Sequence, residues 1–148
     1  MKIIFAYGML VLVAAPLHLV WERAHVVLYT GYGDLGAPLP VWLYATTGDV
    51  LYTLLGVVAA ALAGISLTSS RAWSVSEYVS LTCIGACIAV LVEYKAQYLG
   101  LWAYTPAMPV FPFSGLGVSP LLQMMLLSPL SVLITRALLL RREPRASS

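Results

Sequence analysis

In a chain of 148 residues with few charges, three acids are placed where chemistry would need them: Glu22, Asp49 and Glu93. A charged side chain at the middle of a membrane helix costs at least about 2.5–3.5 kcal/mol, so each needs a reason to be there. His18, Glu22 and His25 are separated by four and three residues and share a face if one helix runs through them, with Tyr29 extending the stripe. By the same spacing Asp49 lies with Tyr52 and Thr53, Glu93 with Gln97, and Ser119 with Gln123. A carboxylic acid in a low-dielectric site can stay protonated at neutral pH. Such a group can protonate a double bond, and Trp and Tyr faces can stabilise the cation that develops. The expected roles are Glu93 or Asp49 as the acid with Glu22 as its partner. His18, Tyr52, Trp102, Tyr104 and Gln123 are the expected substrate contacts, with Trp102 and Tyr104 in a roof. Plainer readings stand beside these. Glu22 and Glu93 can be interfacial charges, Asp49 can bridge to Arg23 or Lys95, and His18 can hydrogen-bond across helices.

The elements that must position these groups follow from composition. Hydrophobic residues make up 61% of the chain and charged ones 9%, with a mean hydropathy of +0.90, against about 25% charged in a soluble domain. A spanning helix needs about 20 mostly apolar residues, and four stretches qualify, at about 3–21, 42–65, 78–99 and 120–140. The expectation is an all-α, polytopic membrane protein. Its single domain, 1–148, is a four-helix transmembrane bundle with a frayed basic tail over 141–148. Six basic residues, Lys2, Arg71, Arg136, Arg141, Arg142 and Arg145, fall on one side and two, Arg23 and Lys95, on the other. By the positive-inside rule both termini are cytoplasmic, and a bacterial inner membrane is the expected location. Arg136 is expected to snorkel to that interface.

The loops are unequal. The cytoplasmic connection is short and polar, whereas 22–40 and 100–120 are long and rich in Gly, Pro and aromatics. These two outer loops should lie on the interface or fold over the bundle. The acids gather in the outer half, and the inner half reads as sealed. Glu22 ends the first helix and Glu93, 71 residues later, ends the third, each before a long loop and another helix. This pattern reads either as two parallel helix–loop–helix repeats or as coincidence.

Other classes find little support. No Gly-rich phosphate loop, zinc-type spacing or basic-aromatic stripe is present, so nucleic acid is not an expected partner. His18 and His25 lie about 10 Å apart along a helix axis, too far to share an ion, and neither metal nor cofactor is expected. Cys83 and Cys87 read as small packing residues beside Gly85 and Ala86, and Ala59 to Ala61 with Gly64 as a close-packing face.

Four short elements carry a resemblance. They are Trp21-Glu22, the Gly31 to Gly36 loop, Gly100-Leu101-Trp102-Ala103-Tyr104, and Ser119-Pro120. In these the chain resembles the lycopene cyclase-type membrane enzymes and the related carotenoid hydratases, over about half its length. The resemblance implies proton-initiated chemistry on an isoprenoid. In place of that family's Pro-x-Glu-Glu pair stand Ser119-Pro120-Leu121-Leu122-Gln123 and Gly48-Asp49, so Asp49 is the acid left to substitute. Two functional expectations result. One is a non-catalytic subunit or assembly factor of a larger membrane complex or homo-oligomer, with the lipid bilayer as its surroundings. The other is an enzyme or binder of an apolar isoprenoid or lipid, of acid-catalysed cyclase or hydratase type.

Overall fold

The computed structural model describes residues 2–31 and 40–142. The expectations for the Gly31 to Gly36 loop, beyond Gly31, and for the tail, beyond Arg142, lie outside the described residues. Helix α1 spans Lys2–His25 and runs through a 3-10 turn, Val26–Leu28, into the short strand β1, Tyr29–Thr30. Then come α2, Val41–Leu62, α3, Val75–Leu99, strand β2, Ala103–Tyr104, and α4, Val118–Arg142. All four helices are long and apolar enough to cross a membrane. The shortest, 22 residues, is about 33 Å long at 1.5 Å per residue, enough for a hydrocarbon core of about 30 Å.

The helices form a ring in which α1 packs on α2 and α4, and α3 on α2 and α4. Each buries a stripe of three- and four-residue steps. On α1 the stripe is Ala6, Leu10, Ala14, His18, Glu22 and His25; on α3 it is Glu77, Leu81, Gly85, Ala89, Glu93 and Ala96. The polarity is inverted relative to a protein in water. Large side chains such as Ile4, Leu12, Leu55 and Leu91 point outward, while His18, Thr53, Glu93, Gln123, Ser131 and Arg136 are buried. Hydrocarbon outside removes the penalty on apolar surface and leaves the polar groups to find partners inside. Gly85 sets the closest approach: a Cβ there would lie 2.6 Å from the Met124 carbonyl oxygen, so any side chain would push α3 off α4.

Sequence and structure differ at several helix ends. Residue α3 Val75 begins the helix three positions early, because Ser74 and Glu77 form a capping box. Val118 starts α4, with Pro120 inside the first turn where its missing N–H costs nothing. At the other end of α2, Leu62 is the last helical residue, and Gly64 adopts a left-handed φ of 87° outside the helix. Gly64 and Ala59 are exposed and only Ala60 of that run is fully buried, so the expected packing face is narrower than it looked. Cys83 and Cys87 are also exposed, on the outward face of α3.

The half of the bundle toward the C-terminal end of α4 also buries polar groups. Ser128, Ser131, Thr135 and Arg136 are all buried on α4. Arg136 does not snorkel outward. Its guanidinium turns in over the Trp73 ring and donates to the carbonyl oxygens of Ser66, Leu67 and Arg71.

Candidate functional site

The end of the bundle where α1 and α3 finish is covered by a lid. Strands β1 and β2 pair antiparallel, Tyr29 opposite Tyr104, and so tie the segments after α1 and α3 together. Gly100, in the left-handed region at φ 62°, turns the chain sharply out of α3. Beneath the lid lies a cavity of about 130 Å³, lined by Glu22, Asp49, Glu93, Tyr52, Trp102 and Gln123 among others. Six of the eight residues singled out in the sequence thus share one cavity, drawn from all four helices and the lid.

Gln123 organises the acids. Its Nε2 lies 2.9 Å from Glu22 Oε1 and 2.7 Å from Asp49 Oδ2, and 3.2 Å from His18 Nδ1. Its amide has two hydrogens, which both go to the carboxyl groups. One nitrogen thus gathers an oxygen of Glu22 and an oxygen of Asp49. Two carboxyl groups held so close without a cation are stabilised by sharing a proton. His18, the seventh residue, sits below: its Nε2 is 3.0 Å from Thr53 Oγ1, which is 3.1 Å from Ser128 Oγ.

Glu93 faces the same cavity with different partners. Tyr104, the eighth residue, stands behind it; its hydroxyl and the Trp102 indole N–H both donate to Glu93 Oε2. The Tyr104 oxygen in turn accepts from the Gly117 amide and the Gln97 side chain, each at 3.0 Å. Burial, and then the hydrogen bond to Glu93, push the Tyr104 phenol up to about 12, so it acts as a fixed donor.

Neither basic residue of this end neutralises the acids. Arg23 lies over the Trp42 ring at 5.2 Å and Lys95 is exposed. Among the described residues, the only ion-pair distances to Glu22 and Asp49 come from His25, at 3.8 Å, and His18, at 3.9 Å. The bridge from Asp49 to Arg23 or Lys95 is not formed, and Glu22 and Glu93 are buried within the bundle.

Two residues that spacing placed on helix faces have partners that spacing could not show, Tyr29 and Thr53. Tyr29 lines the cavity and meets Trp102 and Tyr104 edge to face, at 6.3 and 5.6 Å between ring centroids. Its place depends on a two-residue strand pairing, which leaves no periodic signal. The hydroxyl chain from His18 through Thr53 to Ser128 joins three helices and likewise has no local signature. Compared with protein-family models, curated proteins and solved structures, the chain matches none. The resemblance to cyclase-type enzymes therefore rests on its short motifs alone.

Proposed function

We propose that the protein is a membrane-embedded enzyme that begins its reaction by protonating a double bond of an apolar lipid of isoprenoid type. The observation that carries this reading is the Glu22–Asp49 pair gathered on the Gln123 amide at the cavity, with no Lys or Arg partner among the described residues. An acid pair bridged by one proton is a store from which that proton can be given and to which it can be returned. Asp49 delivers it: the π electrons of the substrate form the new C–H bond, and the neighbouring carbon becomes cationic. The Tyr52, Tyr29 and Trp102 rings that line the cavity face that charge. Cyclisation follows when a second double bond of the same chain captures the cation and a proton returns to the carboxylate pair. Hydration follows when water captures it and gives up a proton to the same pair. Either way the acid is regenerated without an oxidant or reductant.

The cavity suits a segment, not a whole molecule. About 130 Å³ is the share of about four waters in the liquid, so the rest of a long chain must lie outside. Tyr44, Ile88 and Val92 of α2 and α3 line that side, which gives a lateral way in from the bilayer. The lidded end faces the outside of the cell in this reading, and the matched places of Glu22 and Glu93 at the ends of α1 and α3 support two parallel repeats.

A second reading, a non-catalytic subunit of a larger complex, is favoured by Tyr98, Phe111 and Phe113, which stand out from the lidded end. Purification from the native membrane in mild detergent, with mass spectrometry of lipids and proteins, separates the two. The enzyme reading expects a lone bundle carrying an unsaturated isoprenoid, whose conversion falls about 10²- to 10⁴-fold in Asp49→Asn, the usual worth of a general acid. A stoichiometric protein partner, with lipid content and conversion unchanged by that substitution, would overturn it.

A further inference from the structure

At the end of the bundle away from the lid lies a second cavity, of about 260 Å³. Lys2 and Arg136 supply its charge, and Thr68, Ser69 and Ser70 its hydroxyl groups. Phe5, Leu139 and Leu140 make an apolar wall. Arg136 is only 4% exposed, yet no carboxylate among the described residues pairs with it. Glu77, the one described acid at this end, is held by Arg71 through two bonds of 2.7 and 2.5 Å.

The three carbonyl groups that receive Arg136 fix the guanidinium in place without cancelling its charge. Of the five N–H donors of a guanidinium, three meet those carbonyl groups, and Tyr78 is the neutral side chain beside the others. Lys2 adds a second positive charge at the mouth, and the first turn of α1 beside it holds no acid. A buried cation that cannot lose its proton and has no carboxylate at ion-pair distance among the described residues has charge to spare for an anion from outside. The lining divides into a cationic, hydroxyl-rich part and a hydrocarbon part, at the level where a membrane helix meets the headgroups.

We infer that this cavity binds the phosphate group of an anionic phospholipid, between Lys2 and Arg136, with an acyl chain along Phe5, Leu139 and Leu140. Basic pockets between helices at a membrane interface recognise such headgroups by the same arrangement. A free phosphate shares the anion chemistry but has nothing to lay on the apolar wall. The site is separate from the acid cavity and does not depend on the reaction proposed there.

The test is lipid retention by the full chain in detergent, read by native mass spectrometry with phosphatidylglycerol or phosphatidylcholine of identical acyl chains. The expected result is retention of phosphatidylglycerol over phosphatidylcholine, no displacement by millimolar inorganic phosphate, and about fivefold weaker retention in Lys2→Gln. Lys2 is exposed and α1 begins with it, so this variant keeps the fold where Arg136→Gln risks it. Asp49→Asn should leave retention unchanged. Equal retention of both lipids, or no loss in Lys2→Gln, would overturn the inference, and displacement by inorganic phosphate would reassign the site to the free anion.

Discussion

The two ends of the bundle bury opposite charges and stabilise them in opposite ways. Under the lid, Glu22, Asp49 and Glu93 meet without a described Lys or Arg partner. At the other end Arg136 is buried without a described carboxylate partner. A carboxyl group can take up a proton and become neutral, so an acid cluster can be held by neutral donors such as Gln123, Trp102 and Tyr104. A guanidinium stays charged at any accessible pH, so Arg136 needs permanent acceptors and has three backbone carbonyl groups. The difference teaches which end can do proton chemistry. Carboxyl groups can exchange a proton, and these have an open cavity beside them, whereas Arg136 joins the 66–71 loop to α4.

That contrast can be broken most directly by substituting one residue from each end. Arg136→Ala removes the charge-assisted hydrogen bonds to Ser66, Leu67 and Arg71 together with the Trp73 contact, and should destabilise the fold by about 3 kcal/mol. Asp49→Asn keeps a hydrogen-bonding group of the same size and should change stability by less than about 1 kcal/mol. Thermal unfolding in one detergent measures both. Equal losses would mean that the acids are structural in the same sense as the arginine.

A smaller effect is expected where the two ends share a foundation. Gly85→Ala sets a methyl group against the Met124 carbonyl, next to Gln123 on α4. It should cost about 1–3 kcal/mol by overpacking and loosen the Gln123 contacts while leaving the Arg136 contacts in place. Cysteine crosslinking at each end checks that asymmetry.

The smallest effect sharpens the role of the lid. Tyr104 holds its proton up to about 12 in the folded protein, while an unfolded tyrosine loses it near about 10. Between those values the unfolded chain binds fewer protons, so stability falls as pH rises. Below about pH 10 the contribution is fully present. The melting temperature of the wild type should therefore drop more steeply between about pH 10 and 12 than that of Tyr104→Phe, and parallel curves would show that the hydroxyl is not held by Glu93.

Much of this contrast was legible in the sequence, for reasons of physics. Long apolar runs report helices in a membrane because backbone amides have no other partner there. Buried acids are visible because they are costly, and Glu22, Asp49 and Glu93 fall at similar depth. What could not be read was direction. Arg136 has an aliphatic stem long enough to reach water, and only the 66–71 carbonyl groups, brought in by a loop, explain why it turns inward. Tyr29 and Thr53 acquire their roles from partners 75 residues away, at Tyr104 and Ser128. Ser74-Val75-Ser76-Glu77 is different: this capping box is a local signal, and it marks the α3 start that apolar periodicity alone placed too late.

The Glu22–Asp49 pair is tested most directly by infrared spectroscopy of the purified protein in membrane-like discs near neutral pH. The expected spectrum contains a carboxylic-acid carbonyl band from the proton held between the two groups, shifted on exchange into deuterated water and changed by both Asp49→Asn and Glu22→Gln. A spectrum without that band, or with a band that neither substitution alters, would contradict the shared proton and with it the acid chemistry.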